Sequence, residues 1–172
     1  MKEKRLVLQA KAGNQKALEE LVRMYYQAIY KYFVRKTSST HTALDLTQDT
    51  FFKLVTHLKE YVPYKDFEAY LYTIAYHVAM DYYKKKKDML LHDDTMFEFQ
   101  QAPHEEKSEN YYQMQKVLQR LPQKQRDCII LYYYQELTYR QIAEVLHIPE
   151  STAKTRVRAG LEKCKQLWEE CK

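Results

Sequence analysis

A forced break between two short helical segments, within residues 138–161, constrains the fold of this chain more than any other feature. Thr138 and Gln141 have the spacing of a capping box, which predicts a helix that begins directly after Thr138. Pro149 cannot donate a backbone hydrogen bond inside a helix, and it disfavours helical geometry in the residue before it. The segment is therefore predicted to form two helices joined by a tight turn at residues 147–149.

The second of these helices separates its apolar residues from its polar ones. Small or apolar side chains recur at steps of three or four residues, the spacing of one buried stripe, at Ala153, Val157, Leu161, Cys164, Trp168 and Cys171. The opposite face carries Ser151, Thr155, Arg158 and Glu162, flanked by Thr152, Lys154 and Arg156. Hydroxyls and cations suit phosphate oxygens and base edges, so the pair resembles a DNA-binding helix-turn-helix. A surface hairpin with solvated charges is the alternative for these two helices alone.

Composition indicates an all-α protein. Only two Gly and four Pro, with 45% hydrophobic residues, favour packed helices over a sheet protein or a disordered chain. The charge changes sign along the chain: residues 1–87 carry 16 Lys and Arg against 9 acids, residues 88–110 carry 1 against 7, and residues 111–172 carry 11 against 7. The sequence therefore predicts two small basic domains joined by an acidic linker at residues 88–110.

Several classes of function lack the residues they need. The start of the chain has no apolar run typical of a secretory segment, and no later stretch is long enough to span a bilayer, so we expect a cytoplasmic protein without membrane insertion. The three Cys and six His show no metal-ligand spacing, and no phosphate loop or nucleophile elbow is present. We expect no metal, no cofactor and no enzymatic activity, while a redox role of a Cys stays open.

The third predicted helix carries three polar side chains on one side. Its inward residues are predicted to be Leu44, Phe51, Phe52, Val55 and Leu58. Asp45, Gln48 and Asp49 are predicted to lie on the other side. By themselves they are typical of an ordinary solvated surface.

The fourth predicted helix has an aromatic and basic outer face. Asp66 is placed to cap it, and Tyr72, Tyr76 and Tyr83 are predicted to face outward, followed by four lysines at 84–87. Aromatic rings interleaved with cations suit unpaired bases and phosphates. A Tyr-rich face also suits a protein partner or packing on a neighbouring helix, and the residues alone favour neither.

Three stretches, in this order and spacing, resemble bacterial RNA polymerase sigma factors of the extracytoplasmic-function (ECF) type, a sigma-70-like family. They are ALDLTQDTFFKL (43–54), FEAYLYTIAYHVAMDYYKKKK (67–87) and LPQKQRDCIILYYYQELTYRQIAEVLHIPESTAKTRV (121–157). The resemblance covers nearly the whole chain. It implies a region 2-like domain at residues 1–87 and a region 4-like helix-turn-helix domain at residues 111–172.

The resemblance also implies a partner for each polar surface. Asp45, Gln48 and Asp49 match the family's contact with the clamp helices of the largest subunit of core RNA polymerase. Residues 61–66 and the helix after them match the segment that melts and captures the minus-ten promoter element, with contacts expected from Tyr64, Tyr70, Tyr72, Thr73, Tyr76, His77 and Lys84. The helix after Pro149 matches the reader of the minus-thirty-five element, with contacts expected from Ser151, Thr152, Lys154, Thr155, Arg156 and Arg158.

The chain departs from the family pattern at several of these positions. Tyr70 stands where the family usually has Trp, and Thr73, Tyr76 and His77 replace a stretch that is usually basic or contains Asn. His147 replaces the usual turn Gly, which is tolerated because His enters left-handed backbone space more readily than most residues. Ala159 and Gly160 reduce the positive charge of the minus-thirty-five helix.

The prediction is therefore a sigma factor that binds core RNA polymerase and promoter DNA. The family resemblance also implies an anti-sigma factor as a partner. One alternative is a stand-alone helix-turn-helix transcription regulator that uses only the C-terminal motif. The other is a basic adaptor that binds acidic proteins.

Overall fold

The computed structural model describes residues 2–63, 65–92 and 108–170, and the regular structure in these ranges is entirely helical. The α-helices are α1 (Lys2–Lys11), α2 (Gln15–Thr37), α3 (Thr40–His57), α4 (Phe67–His92), α5 (Glu109–Arg120), α6 (Gln123–Ile129), α7 (Tyr139–Leu146) and α8 (Glu150–Glu170). A 3-10 turn (Leu58–Glu60) follows α3, and a π-helical turn (Ile130–Tyr134) continues α6. The predicted all-α fold class is confirmed.

Local caps set the ends of the helices in the first domain, α1–α4. The side chain of Asn14 accepts a hydrogen bond from the backbone N–H of Ala17 at 3.0 Å and starts α2. Ser38, in the left-handed conformation, ends that helix. Asp66 accepts from the backbone N–H of Ala69 at 2.9 Å and starts α4. The predicted cap at Asp66 is confirmed, and both caps pair a backbone donor that a helix start otherwise leaves free.

The helices of the first domain enclose an apolar core that also contains two threonines. Its fully buried side chains include Leu21, Ile29, Phe33, Leu54 and Leu71. The Thr47 hydroxyl donates to the backbone oxygen of Ala43 at 2.6 Å, and the Thr50 hydroxyl donates to that of Leu46 at 2.7 Å. Because these bonds satisfy both hydroxyls, the threonines lie in the core without an unpaired polar group.

The second domain, α5–α8, has the predicted helix-turn-helix. Gln141 accepts from the backbone N–H of Thr138 at 2.9 Å and donates its own N–H to the Thr138 hydroxyl at 3.2 Å, so the predicted capping box is confirmed. His147 ends α7 with φ of 52°, the left-handed conformation expected there. Pro149 follows, and α8 begins at Glu150.

Close packing of α8 on α6 explains why residue 160 is a glycine. A Cβ atom at Gly160 would lie 2.7 Å from Cγ1 of Ile129, nearer than two carbons approach without one moving. Gly160 is buried in the stripe that packs on α6, so its lack of a side chain serves this contact and not the polar face. Leu161 and Trp168 of the predicted stripe are half-buried, and Cys171 lies outside the described residues.

The two domains pack on each other. α4 lies along α7, and the end of α2 meets the π-helical turn. Lys36 of α2 and Asp127 of α6 form an ion pair in which the side chains are only 2% and 5% exposed. α4 runs on to His92, past the predicted boundary at residue 87, and residues 93–107 of the predicted linker lie outside the described residues. Within the described ranges, no helix combines the length and apolar character needed to cross a bilayer.

Candidate polymerase and nucleic-acid interfaces

The outer face of α8 carries the residues predicted to read the minus-thirty-five element. Ser151, Lys154, Thr155 and Arg158 are exposed, and Thr152 and Arg156 are half-buried. The Thr155 hydroxyl donates to the backbone oxygen of Ser151 at 2.9 Å, which leaves its lone pairs free to accept. The structure thus brings cations and hydroxyls together on one side of α8, while Ala153 and Val157 face the core.

Arg156 lies at the edge of this face, beside the first domain. Burial raises the pKa of Tyr76, and the charge of Arg156 opposes part of that rise. Arg156 has the same opposing effect on Cys128, whose thiol pKa burial raises to about 11. The Cys128 thiol is therefore protonated at neutral pH, which disfavours the redox role that the sequence left open because the thiolate is the reactive form.

The outer face of α3 combines the predicted polymerase residues with apolar side chains. Asp45, Gln48 and Asp49 are exposed, as predicted. The same side of the helix exposes 42% of Leu44, 74% of Phe52 and 48% of Val55. The prediction that these three apolar residues point inward is wrong. Each helical residue turns the direction by about 100°, so the neighbours Phe51 and Phe52 cannot share one stripe, and only Phe51 is buried.

The surroundings of this face leave its acids accessible. The Asp45 carboxylate lies 3.4 Å from the His41 ring nitrogen one turn before it, and both side chains are exposed, so the contact holds Asp45 only weakly. A shallow groove between α2 and α3 adjoins the face and is lined in part by Leu18, Val22, Tyr26 and Val55. An apolar strip beside two carboxylates therefore crosses the surface of the first domain.

The second domain covers part of the α4 face that was predicted to point outward. Tyr72 is only 1% exposed, and its hydroxyl donates to Oε1 of Gln135 at 2.6 Å. The other two tyrosines of this face contact the first domain itself. Tyr76 is half-buried, with Nζ of Lys36 of α2 5.4 Å from its ring centre, and the Tyr83 hydroxyl donates to the backbone oxygen of Lys36 at 2.7 Å. The predicted exposure of Tyr72 is wrong, because its ring packs edge-on against Tyr32 of α2, with ring centres 5.7 Å apart, and its hydroxyl binds the second domain.

The other predicted minus-ten residues differ in their accessibility. His77 is exposed at one side and stacks its ring on His147, with ring centres 5.6 Å apart. The half-buried Thr73 donates its hydroxyl to the backbone oxygen of Ala69 at 2.7 Å. Lys84 is exposed, beyond these residues on α4.

The loop before α4 packs on two tyrosine side chains. Tyr61 is buried, and its hydroxyl donates to the backbone oxygen of Lys65. Tyr70 packs on Tyr61 with ring centres 4.9 Å apart, and its hydroxyl donates to the backbone oxygen of His57 at 3.3 Å. Tyr64 lies outside the described residues. The loop is thus tied to α4 through Tyr70, the residue that stands in place of the family's usual Trp.

Sequence reasoning missed the groups that join the domains and one exposed aromatic residue. Lys36 and Asp127 are 91 residues apart, and no local pattern links them. The sequence around Gln135 likewise gives no indication that its side chain contacts Tyr72 of α4. Phe52 could have been found from helical phase, since its neighbour Phe51 already occupies the inner position.

Both helical domains match known families. Residues 21–88 match the family described as Sigma-70 region 2, and residues 111–164 match Sigma-70, region 4. The ECF RNA polymerase sigma factor SigW of Bacillus subtilis is 31% identical over 182 residues, covering 92% of each chain. RNA polymerase sigma factor YlaC of the same species is 30% identical over 167 residues, covering 88% of this chain and 92% of YlaC.

Solved structures share the fold. The sigma factor RpoE of Bartonella quintana, solved with the anti-sigma factor NepR, has a TM-score of 0.81 at 22% identity, over 90% of this chain and 98% of that one. CnrH, solved with the cytosolic domain of CnrY, has a TM-score of 0.80 at 20% identity, over 99% of both chains. The two family matches occur in the expected order, the relatives align over most of their length, and the solved structures share the fold. These three findings agree with one another. The chain belongs to the ECF sigma factors, which direct RNA polymerase to specific promoters at transcription initiation.

Proposed function

We propose that this sigma factor divides its work among three surfaces. The outer face of α3 binds core RNA polymerase, α4 with the loop at residues 61–66 captures and melts the minus-ten element, and the outer face of α8 reads the minus-thirty-five element. The protein performs no chemistry of its own and acts in the cytoplasm. The observation that carries this assignment is the apolar strip on α3, because neither DNA surface needs it.

The composition of the α3 face favours a protein partner. Phe52 exposes 74% of its surface, which costs solubility and is expected where an aromatic anchor enters a partner's pocket. Asp45 and Asp49 lie on the same face, and their charges repel nucleic acid. A basic, partly apolar surface on the polymerase fits both features, in keeping with the family's contact with the clamp helices of the largest subunit.

The aromatic face of α4 suits separated DNA strands. Each base stacked on an aromatic ring contributes ~1–3 kcal/mol, and every base offers such a face. Tyr76 and His77 supply rings beyond the loop anchored by Tyr70, and Lys84 supplies an exposed charge for a phosphate further along the helix. Tyr64 of the loop belongs to the same proposed surface, as do Tyr72 and Thr73.

The outer face of α8 suits duplex DNA. Arg158 points away from the stripe formed by Ala153 and Val157, so we assign it to base edges in the major groove. Lys154 lies on the shoulder of the helix and is assigned to a phosphate. Ser151 and Thr155 join Arg158 on the outward side, while Thr152 and Arg156 flank it.

An anti-sigma factor is the remaining expected partner. RpoE and CnrH were solved with the anti-sigma factor NepR and with the cytosolic domain of CnrY. We expect a protein of the anti-sigma class to hold this chain as well, and the covered surface of α4 is compatible with an inactive arrangement.

A gel-shift experiment on duplex promoter DNA, with and without core polymerase, tests the proposal. The sigma factor should shift the DNA only with core polymerase. A stand-alone regulator would shift it without polymerase, and an adaptor would not shift it in either condition. Either of the last two results would contradict the proposed function.

A further inference from the structure

Helix α1 precedes the region 2 match, which begins at residue 21, yet it is packed on the first domain. Leu6, Val7 and Ala10 of this helix are buried, and the helix packs on α2. It also meets the 3-10 turn (Leu58–Glu60) that leads into the loop at residues 61–66. α1 is therefore a fixed support beside the start of that loop.

Lys11, in the last turn of α1, binds the first residue of the loop. Nζ of Lys11 donates to the backbone oxygen of Tyr61, 50 positions further along the chain. At Tyr61 the backbone leaves the 3-10 turn and becomes extended, with φ of −60° and ψ of 136°. A charged donor makes this bond stronger than a bond between neutral groups. Lys11 therefore fixes the direction in which the chain enters the loop.

Glu3 of α1 acts on the other end of the loop through aromatic rings. The Tyr25 hydroxyl donates to Oε2 of Glu3, and the Tyr25 ring packs on Phe67, with ring centres 5.7 Å apart. Phe67 is the first residue of α4, and it packs edge-on against Tyr61 with ring centres 5.5 Å apart. Burial raises the pKa of Tyr25, and the bond to Glu3 raises it further, so the hydroxyl stays protonated and donates. Glu3 and Lys11 lie about 12 Å apart along α1, and each supports one end of the loop.

The described residues of the loop hold themselves only weakly. The Tyr61 hydroxyl donates to the backbone oxygen of Lys65, and the backbone N–H of Lys65 donates to the backbone oxygen of Val62 at 3.0 Å. Both bonds fold the loop back on its first residues, so the placement of Tyr61 sets the placement of the turn. Because Pro63 and Lys65 are exposed, packing contributes little to the order of this turn.

We propose that α1 positions this loop for capture of the minus-ten strand, with Lys11 as the main positioning residue and the Glu3–Tyr25 bond as a second support. The proposal rests on the strand-capture role proposed above for the loop and deepens it. A loop that is already held in its binding conformation loses less conformational freedom when the strand arrives, so it binds the strand more tightly. Lys11 acts through Tyr61 and not through a contact with DNA.

Hydrogen exchange of the free chain tests whether α1 holds the loop, and the reporter is the backbone N–H of Lys65. Lys11→Met keeps an apolar side chain of similar length but loses the donor. Loss of one charge-assisted bond shifts the balance between held and open loop by about tenfold, so the Lys65 N–H should exchange about threefold faster or more. Lys11→Arg can donate to the same oxygen and should restore most of the protection. Lys16→Met, at an exposed lysine of α2, is the matched control and should match the wild type.

Strand binding by the holoenzyme tests what the held loop contributes. The probes are single-stranded oligonucleotides with and without the minus-ten sequence of a promoter that the wild-type holoenzyme opens. Lys11→Met should weaken binding of the minus-ten strand about threefold or more, the factor by which the population of the held loop falls, and Lys11→Arg should restore it. Affinity for core polymerase should stay at the wild-type value. The dependence on salt concentration should also be unchanged, because no phosphate contact is lost, and a reduced salt slope would overturn the positioning role.

The two measurements separate failure of this proposal from failure of the proposed function. Unchanged exchange at Lys65 in a folded Lys11→Met chain overturns the positioning role. Faster exchange with unchanged strand binding supports the hold of α1 on the loop and overturns the strand-capture role assigned to the loop. If Lys11→Met loses helix content, Tyr25→Phe decides by the same two measurements, because it removes only the hydroxyl that is bound to Glu3.

Discussion

The ring of His77 in α4 stacks on that of His147, the left-handed residue between α7 and α8, with planes 19° from parallel. Desolvation in this contact lowers the pKa of His77, and the neighbouring His147 lowers it further. Lys53 of α3 also lowers this pKa, whereas Asp81 raises it. The contact between the domains therefore favours the neutral His77 ring.

We expect this contact between the domains to weaken as the pH falls below about 6.5, the ordinary pKa of His. Above that value the His77 ring is neutral whether the domains touch or not, so the contact has its full strength. Below it His77 takes up a proton more readily when the domains are apart, which favours their separation until the lower pKa of His77 in the contact is passed. Small-angle X-ray scattering between about pH 8 and about pH 5.5 should show a growing radius of gyration, and His77→Gln should flatten this change. Equal pH dependence in the two proteins would contradict a role of His77.

Changes on the outer face of α3 should weaken polymerase binding without affecting folding. Gln48→Ala, Asp49→Ala and Phe52→Ala each alter an exposed side chain, so each should change the free energy of unfolding by under about 0.5 kcal/mol. Phe52→Ala should reduce affinity for core polymerase about tenfold or more if the ring is a buried anchor. Leu8→Ala, at an apolar position on α1 that is 51% exposed, is the matched control. If a folded Gln48→Ala/Asp49→Ala/Phe52→Ala protein bound core polymerase with wild-type affinity, this would contradict the assignment of the α3 face to polymerase binding.

Features set by neighbours in the sequence were predictable. Asn14, Asp66 and Thr138 cap helices because their short side chains reach backbone N–H groups three residues away. His147 ends α7 in the left-handed conformation common at helix ends, two residues before Pro149. In each case the residues that determine the feature lie within one helical turn of it.

The error within α3 was avoidable. Apolar character alone assigned Phe52 and Val55 to the inner face, against the helical phase set by the buried Phe51. Thr47 and Thr50 occupy inner positions and donate hydrogen bonds to their own helix.

Features set by packing between distant segments were not predictable. Tyr72 is buried between Tyr32 of α2 and Gln135 of the second domain, both distant in the sequence. A periodic pattern shows which residues share a face, but not what covers that face.

Gly160→Ala should destabilise the second domain. The new Cβ would collide with Ile129, and overpacking of this kind typically costs ~1–3 kcal/mol, more than the ~0.5–1 kcal/mol that Ala gains over Gly within a helix. In an Ile129→Ala background the collision is absent, so Gly160→Ala should become stabilising. Urea unfolding of the four proteins measures both effects, and an equal loss in both backgrounds would exclude this contact as the cause.

Arg158 and Lys154 should differ in what they contribute to DNA binding by the holoenzyme. Arg158→Ala should cost ~1–3 kcal/mol on the correct minus-thirty-five element and relax discrimination there, as loss of a base contact does. Lys154→Ala should weaken all sequences alike and reduce the salt slope by roughly one. Affinities for single-base promoter variants at several salt concentrations measure this. A uniform effect of Arg158→Ala on every variant would show that Arg158 does not read bases.

Permanganate reactivity of promoter thymines tests most directly whether α4, covered by the second domain in the free chain, melts the minus-ten element. The experiment compares holoenzymes with wild type, Tyr76→Ala and Tyr133→Ala, the last altering a tyrosine of the second domain that is 48% exposed. Loss of one stacked base, worth ~1–3 kcal/mol, should reduce the reactivity of the Tyr76→Ala complex about tenfold or more while closed-complex formation is unchanged. Tyr133→Ala should match the wild type. Wild-type reactivity with Tyr76→Ala would contradict the account.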